Sequence, residues 1–390
     1  MKIAVLLSRV PYPLEKGDKL RAFHQIRELS RHHEIHLYAL NDSDLHPDAE
    51  RILSTFCASV HFYHLPLWLR YWNAFLFFLC GKPLQCGYFF RRKFKREIQA
   101  DIRDKAVDHI YCQLIRTASY VIDMPFPKTL DFQDVFSKGI DRMIPKSSWW
   151  KRGVLRAEQK RVARFEHDML PLFDHCTIIT QVDRSLIQHP RAGEIVVVPN
   201  GVDLDYYRVK KAEKKYDLIF TGNMAYLPNI DAATFIAKEI VPALKEKYPQ
   251  IRVAICGANP SPKVMSLQNR QITVTGWVDD MRDYYAQARI FIAPMHLGTG
   301  LQNKLLEAMA MQIPCITSPL AAMPLHAEAN KELLVCNSTL GFVDAIDHLL
   351  TDESYYQEIA TNGLAFVKKH YNWSQTTELL EKLMMEGHKS

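Results

Sequence analysis

The apolar positions of this chain fall into short, nearly continuous runs separated by amphipathic stretches. That is the pattern of strands buried on both faces and joined by helices. KIAVLLS (2–8) predicts a first strand and EIHLYAL (34–40) a second, with the amphipathic helix LRAFHQIRELSRH between them. AVDHIYC (106–112), KTLDFQD (128–134), CTIITQ (176–181) and IVVVPNGVD (195–203) continue the series, and 151–170 reads as a charged helix. A second series opens at Asp217, where DLIFTGNM, RVAICGANP and ITVTGWVDD are each a strand running into a glycine, at Gly222, Gly257 and Gly276. Residues 289–319 repeat the motif: Ile290–Ala293 form a strand and Gly298-Thr299-Gly300 break it. Leu301, Leu305, Leu306, Ala308 and Met309 then recur at helical spacing, and Pro314 closes the helix.

Four strand-to-glycine loops on one rim of one sheet predict an α/β chain of the doubly wound kind, which binds ligands at the C-terminal ends of its strands. A length of 390 residues allows about two domains. The boundaries expected are 1–200, 201–370, and a C-terminal helix at 371–390 that returns to the first domain, with YNW (371–373) at the crossing. The polar, lysine-rich YRVKKAEKKYD (207–217) is expected to be the linker.

Two charged residues interrupt the apolar unit at 289–319. Lys304 and Glu307 are three apart and share a helix face. A glycine loop opening a helix lets backbone amides approach an anion, a lysine adds full positive charge, and a carboxylate one turn on can accept hydrogen bonds from ribose hydroxyls. An ordinary surface ion pair on a crossover helix fits the same spacing. In the first series Gly17 and Asp18 precede a helix without G-x-G-x-x-G, which argues against a dinucleotide enzyme. Asp18, Lys19, Arg21, Gln113, Arg116, Asp131 and Asp134 fall beyond strand ends and are candidate ligand contacts.

Residues 65–96, LPLWLRYWNAFLFFLCGKPLQCGYFFRRKFKR, place an aromatic apolar segment ahead of Arg91, Arg92, Lys93, Lys95 and Arg96. Two readings stand: an interfacial contact with an anionic membrane or acceptor through Trp68, Trp72, Arg91, Arg92 and Lys93, or a buried helix face of Trp68, Trp72, Phe75 and Phe78 under a solvated basic helix. No nucleic-acid-binding module surrounds the cluster, and no nucleic-acid partner is expected. Charge is uneven, at +8 over residues 1–200 (30 Lys+Arg, 22 Asp+Glu) and −2 over 201–390 (19 and 21). The eight cysteines are scattered without metal-ligand spacing, several within apolar strands, so no metal site and a reducing compartment are expected. IAVLLS before Arg9 and two prolines suits a first strand better than an export signal, and no apolar run reaches ~18 residues. A cytoplasmic protein is expected, with a surface suited to the inner face of the membrane.

PNGVD, FTGNM, the Gly276 turn and GLQNKLLEAMAMQIPCITS resemble, in order and spacing, the nucleotide-sugar glycosyltransferases of family 4, and within them the exopolysaccharide/exosortase (PEP-CTERM)-associated sugar transferases. The resemblance covers nearly the whole chain and implies a GT-B fold, two Rossmann-like domains facing a cleft. It further implies a retaining, metal-independent transfer from a nucleotide-sugar co-substrate to a glycan or lipid-linked acceptor in cell-surface polysaccharide synthesis, with no other cofactor. By the resemblance Glu307 binds the donor ribose, while Lys304 and the Thr299 and Gly300 amides hold the diphosphate or sugar. Gly222 and Asn223 line the facing loop, Gly276, Trp277 and Val278 flank the base, and Gly17 approaches the phosphates. Gln113, Asp131 and Lys304 are the catalytic candidates. Thr299 stands where the family has a second carboxylate, residues 223–229 hold no Lys or Arg, and Gln113 takes the place of a histidine. Those departures keep two alternatives open: a non-catalytic scaffold of the same shape, or a sugar-nucleotide epimerase using Asp131 and Asp134.

Overall fold

The computed structural model describes residues 1–145, 147–298 and 300–386. The chain divides into two compact units, Met1–Pro199 with the tail from Thr376, and Asn200–Gln375. Each is built on one parallel sheet between layers of helices.

The sheet of the first unit holds seven strands in the order β3-β2-β1-β4-β5-β6-β7. They are β1 (Lys2–Leu7), β2 (Glu34–Asn41), β3 (Ser59–His64), β4 (His109–Gln113), β5 (Lys128–Asp131), β6 (His175–Ile178) and β7 (Val196–Val197). Ile3, Val5, Leu37 and Ile110 are fully buried, as strands covered on both faces must be. Side chains of alternating parity feed two clusters: Ala4 and Leu6 on one face, Ile3, Val5 and Leu7 on the other. The C-terminal tail contributes Leu380 and Met384 to the second cluster, and Glu381 accepts from His33 at 2.8 Å.

The second unit repeats the winding with six strands in the order β10-β9-β8-β11-β12-β13. These are β8 (Tyr216–Thr221), β9 (Val253–Cys256), β10 (Ile272–Val274), β11 (Ala288–Ala293), β12 (Cys315–Thr317) and β13 (Leu334–Val335). β8 pairs with both β9 and β11, so the strand order reverses there. Parallel winding places the C-terminal ends of β8 and β11 at this switch point, where the connecting chains diverge to opposite faces and leave a crevice. Cys256 and Cys315 are buried inside their strands.

Three expectations change. Residues 207–217 are not a linker: they lie inside the second unit, where the Lys214 ammonium donates to the carbonyls of Ala286 and Ala288. Lysine density suggested solvent, but the chain here crosses the N-terminal ends of the central strands β8 and β11 and enters β8 at Tyr216. The helix after the Gly298 loop runs Asn303–Ala310 and stops short of Pro314, ended by the left-handed Gln312 at φ 56°. YNW is the last stretch before the crossing rather than the crossing itself: it lies in the second unit, where the Val202 amide donates to the Tyr371 carbonyl at 2.7 Å, and the chain returns to the first unit at Thr376.

Asp131 is also reassigned, from catalytic residue to structural anchor. Its carboxylate is fully buried and accepts from Arg21 Nε at 2.7 Å, Arg21 Nη2 at 3.1 Å and Thr177 Oγ1 at 2.8 Å. Arg21 is equally buried, so the pair is a two-pronged charge-assisted contact in a dry setting. Gln113 is drawn into the same network: its amide donates to Gln25 Oε1 at 2.9 Å and Tyr111 Oη at 3.3 Å. Both side chains are hydrogen-bonded inward, which favours a structural role over the expected catalytic one, although Gln113 also lines a small cavity with Arg9, Asp18 and Lys19. Asp134 is exposed.

Removing one partner of such a pair strands the other charge in the core. Arg21→Met is expected to lower the free energy of unfolding by about 3–5 kcal/mol, read from urea titration. A loss below about 1 kcal/mol would mean the pair is solvated and Asp131 open to chemistry.

Candidate active site at the switch point of the second sheet

The chain beyond β8, β9, β10 and β11 is held unusually close. The Gly222 amide donates to the Cys256 carbonyl at 3.0 Å, and the Gly257 amide to the Gly276 carbonyl at 3.2 Å. A Cβ on Gly257 would stand 1.8 Å from the Gly222 carbonyl oxygen, and its φ is +139°. Only glycine permits that approach. The Gly298 loop is tied back in turn: His296 pairs with Asp231 at 3.1 Å and packs edge-on against Phe235. Thr299 lies outside the described residues. Gly300 follows with open space where a side chain would stand.

The helix Asn303–Ala310 starts beside this rim, and a helix start leaves amides without carbonyls a turn back; in this first turn the Leu305 amide donates to the Gln302 carbonyl at 2.9 Å. Leu305, Leu306, Ala308 and Met309 anchor it in the core, which leaves Lys304 and Glu307 toward the strand ends. Asn200, in the Pro-Asn-Gly turn, donates from Nδ2 to Asn303 Oδ1 at 3.3 Å and so touches the helix start.

Lys304 and Glu307 turn to different partners. The Lys304 ammonium donates to Asn229 Oδ1 at 2.6 Å and lies 4.5 Å from the centre of the Phe220 ring. Asn229 is oriented by its own amide, which donates to the Asn223 carbonyl at 2.9 Å. Glu307 accepts from Tyr285 Oη at 3.0 Å and also hydrogen-bonds Tyr207. Tyr285 is fully buried and is fixed further by Thr221 at 2.9 Å. A salt bridge on the surface of a crossover helix, the alternative open from spacing alone, is therefore not what forms.

Burial sets the electrostatics. It pushes the Lys304 ammonium down to about 7, with the nearby Glu307 charge opposing the shift. Burial likewise raises the Glu307 carboxyl, opposed by hydrogen bonds from the tyrosines and by Lys304. A lysine lowered to about 7 beside a buried carboxylate at the strand ends makes this a functional-site candidate. An incoming anion would restore the full lysine charge.

The remaining expected residues fall as follows. Gly222 and Asn223 lie directly beside Lys304, since a Cβ on Gly222 would be 3.0 Å from Nζ. Gly276 (φ +69°) ends the β10 segment, and Trp277 after it is 66% exposed, a free aromatic face on the same sheet edge. Gly17 sits in the first unit, exposed at the start of the helix Gly17–Leu29, where Asp18 pairs with Arg9 at 2.8 Å. Arg116 is packed between the rings of Phe89 and Phe136. Asn229, Tyr207 and Tyr285 were not anticipated. Tyr285 reads in sequence as a core position of Met281–Gln287, and nothing local marks its hydroxyl as a partner of Glu307. Among the described residues no three His, Cys, Asp or Glu side chains gather as a metal site.

Residues 215–352 match the family described as Glycosyl transferases group 1. Over 393 aligned residues the chain is 21% identical to an uncharacterized 44.6 kDa protein in the cps region of Klebsiella pneumoniae, covering 95% of this chain and 96% of that one. In structure it is similar to sucrose-phosphate synthase from Thermosynechococcus elongatus, with a TM-score of 0.70 at 14% identity and 99% of each chain covered. It is also similar to Anabaena HepE in complex with UDP-glucose, with a TM-score of 0.68 at 14% identity, covering 99% of this chain and 100% of that one. The chain thus has the GT-B fold, and residues 215–352, within its second unit, match the glycosyl transferases group 1 family.

Proposed function

We propose that this chain is a retaining glycosyltransferase that moves a sugar from a nucleotide-sugar donor to a glycan or lipid-linked acceptor in cell-surface polysaccharide synthesis, without a metal ion. The observation that carries the proposal is the pairing at the switch point: an ammonium held near neutrality and a carboxylate held by two tyrosines, side by side at a helix start. In this reading the helix amides and Lys304 face the diphosphate, and Glu307 accepts from the ribose hydroxyls in place of the tyrosines. Trp277 offers a stacking face for the base. The match of residues 215–352 and the UDP-glucose of the Anabaena neighbour support a nucleoside diphosphate sugar as donor. For the acceptor and the polysaccharide pathway, support comes from the resemblance of the GLQNKLLEAMA helix.

The chemistry asked of the site is limited. The bond from the anomeric carbon to the diphosphate breaks with its electron pair going to phosphate. The acceptor oxygen bonds to that carbon, and its proton leaves on a diphosphate oxygen. Negative charge grows on the departing group, and a preorganised ammonium and helix amides stabilise it more in the transition state than before. Such donors contribute several kcal/mol in dry sites, on the order of 3 each. Asn229 then matters as the residue that keeps Lys304 aimed at the rim instead of at Glu307.

Two results are expected. Glu307→Ala should lose UDP-glucose binding by calorimetry while retaining a cooperative thermal transition, and unchanged affinity would remove the ribose assignment. The affinity of wild-type protein for UDP-glucose should be flat below pH 7 and fall above it. Above pH 7 the Lys304 side chain of the ligand-free protein is mostly the neutral amine, its value lowered to about 7, and must take up a proton to bind the diphosphate. The slope is limited to about tenfold per pH unit for one proton, and Lys304→Met should flatten it. A wild-type profile without slope between pH 7 and 9 would take Lys304 out of the diphosphate site.

A further inference from the structure

In the first unit the helix Leu67–Leu79 is apolar around nearly its whole circumference, yet only one side is covered. Arg70 and Ala74 face inward, with Arg70 donating to the Asp42 carbonyl at 2.6 Å. The helix Leu84–Phe89 closes on it at Gly87, where a Cβ would meet the Asn73 carbonyl oxygen and Phe77 Cβ at 2.7 Å. The opposite side carries Trp68, Tyr71, Trp72 and Phe75, each at least half exposed at 70, 63, 55 and 50%. A buried helix face was one of the two sequence readings. It fails for Trp68, Trp72 and Phe75, and only Phe78 is partly covered, with the Arg161 guanidinium 3.7 Å from its ring centre.

Arg161 belongs to the helix Trp149–Met169, whose Glu158 also accepts from the Leu84 amide at 2.8 Å. The first turns of that long helix, residues 149–154, are exposed all round and present Trp149 and Trp150 at 83 and 62%. Two aromatic prongs thus stand on elements that are braced against each other. Both are cationic. Residues 65–96 hold seven Lys and Arg and no Asp or Glu; residues 142–156 hold five and none. Lys93 and Lys95 are drawn into ion pairs with Glu97 and Asp123, but Lys82, Arg92 and Arg96 are exposed.

We propose that these two prongs together dock the first unit on an anionic lipid surface, with the tryptophans at headgroup depth and the flanking cations against lipid phosphates. Tryptophan has an amphipathic ring that favours that depth, and Lys and Arg near the surface gain from its negative potential. A second copy of the chain is the poorer occupant, because it would bring the same positive charge to the contact. The surface lies on the helices rather than through the bilayer. A 13-residue helix is about 20 Å long, short of a ~30 Å hydrocarbon core, and among the described residues no helix is long and apolar enough to cross a membrane.

The test is co-sedimentation of the full chain with phosphatidylcholine vesicles containing roughly 30% phosphatidylglycerol, against phosphatidylcholine alone. The wild type should bind the anionic vesicles with a blue-shifted tryptophan emission, and release in high salt. Trp68→Ser with Trp72→Ser, Trp149→Ser with Trp150→Ser, and Arg92→Glu with Arg96→Glu should each weaken binding about tenfold or more. Circular dichroism should be unchanged for these exposed positions, and UDP-glucose affinity, which reads the second unit, should be retained. Equal binding to neutral vesicles, wild-type binding by all three variants, or no vesicle binding at all would overturn the proposal. Self-association that the same variants abolish, in the absence of vesicle binding, would overturn it in favour of a dimer face.

Discussion

The second unit depends on keeping a lysine and a carboxylate adjacent without letting them neutralise each other. Lys304 and Glu307, one helical turn apart, would pair on an open surface for little gain. Here Asn229 takes the ammonium and Tyr285 takes the carboxylate. The separation needs β8 and the helix Leu227–Phe235 on one side and Met281–Gln287 on the other, so the switch point of the sheet is built around it. Burial then makes both charges costly, a cost that the proposed diphosphate and ribose diol would relieve.

The two units share one winding and use it differently. In each, the second and third strands lie on one side of the first and the fourth to sixth on the other, with a crevice-forming reversal beside the first. In the second unit the strand ends carry glycines that let neighbouring backbones approach closely, as at Gly222 and Gly257. In the first, the corresponding ends of β4 and β5 carry Gln113 and Asp131, drawn inward to Gln25 and Arg21. The polar residues that look catalytic in the first half fix its core, while its outward chemistry is concentrated in exposed aromatic and basic side chains.

Much of this could be read from the chain. Continuous apolar runs such as IAVLL and IFIA announce strands covered on both faces, and glycines after four of them marked the rim of the second sheet. The lysine and glutamate of NKLLEAMA were identifiable because charge is rare in an apolar crossover unit. What lay beyond reach was long-range pairing. Arg21 and Asp131 are 110 positions apart, and Lys304 is 75 from Asn229. No local pattern says that a carboxylate at a strand end meets an arginine on the first helix instead of a sugar. The same holds for Tyr207 and Tyr285, whose rings look like core. Lysine density misled at 207–217, because a long amphipathic side chain can reach carbonyls at the start of a central strand, as Lys214 does, as readily as it can sit in a linker.

The central claim is that the Lys304–Glu307 rim holds a nucleoside diphosphate. A thermal-shift panel of UDP, GDP and ADP with their sugar conjugates, in the presence of a metal chelator, tests it most directly. A ligand that binds only the folded state raises Tm with occupancy, by about 2.7 kcal/mol of added stability at a hundredfold excess over Kd. The account predicts that one base series stabilises the protein and the others do not. Silence across the whole panel would contradict it.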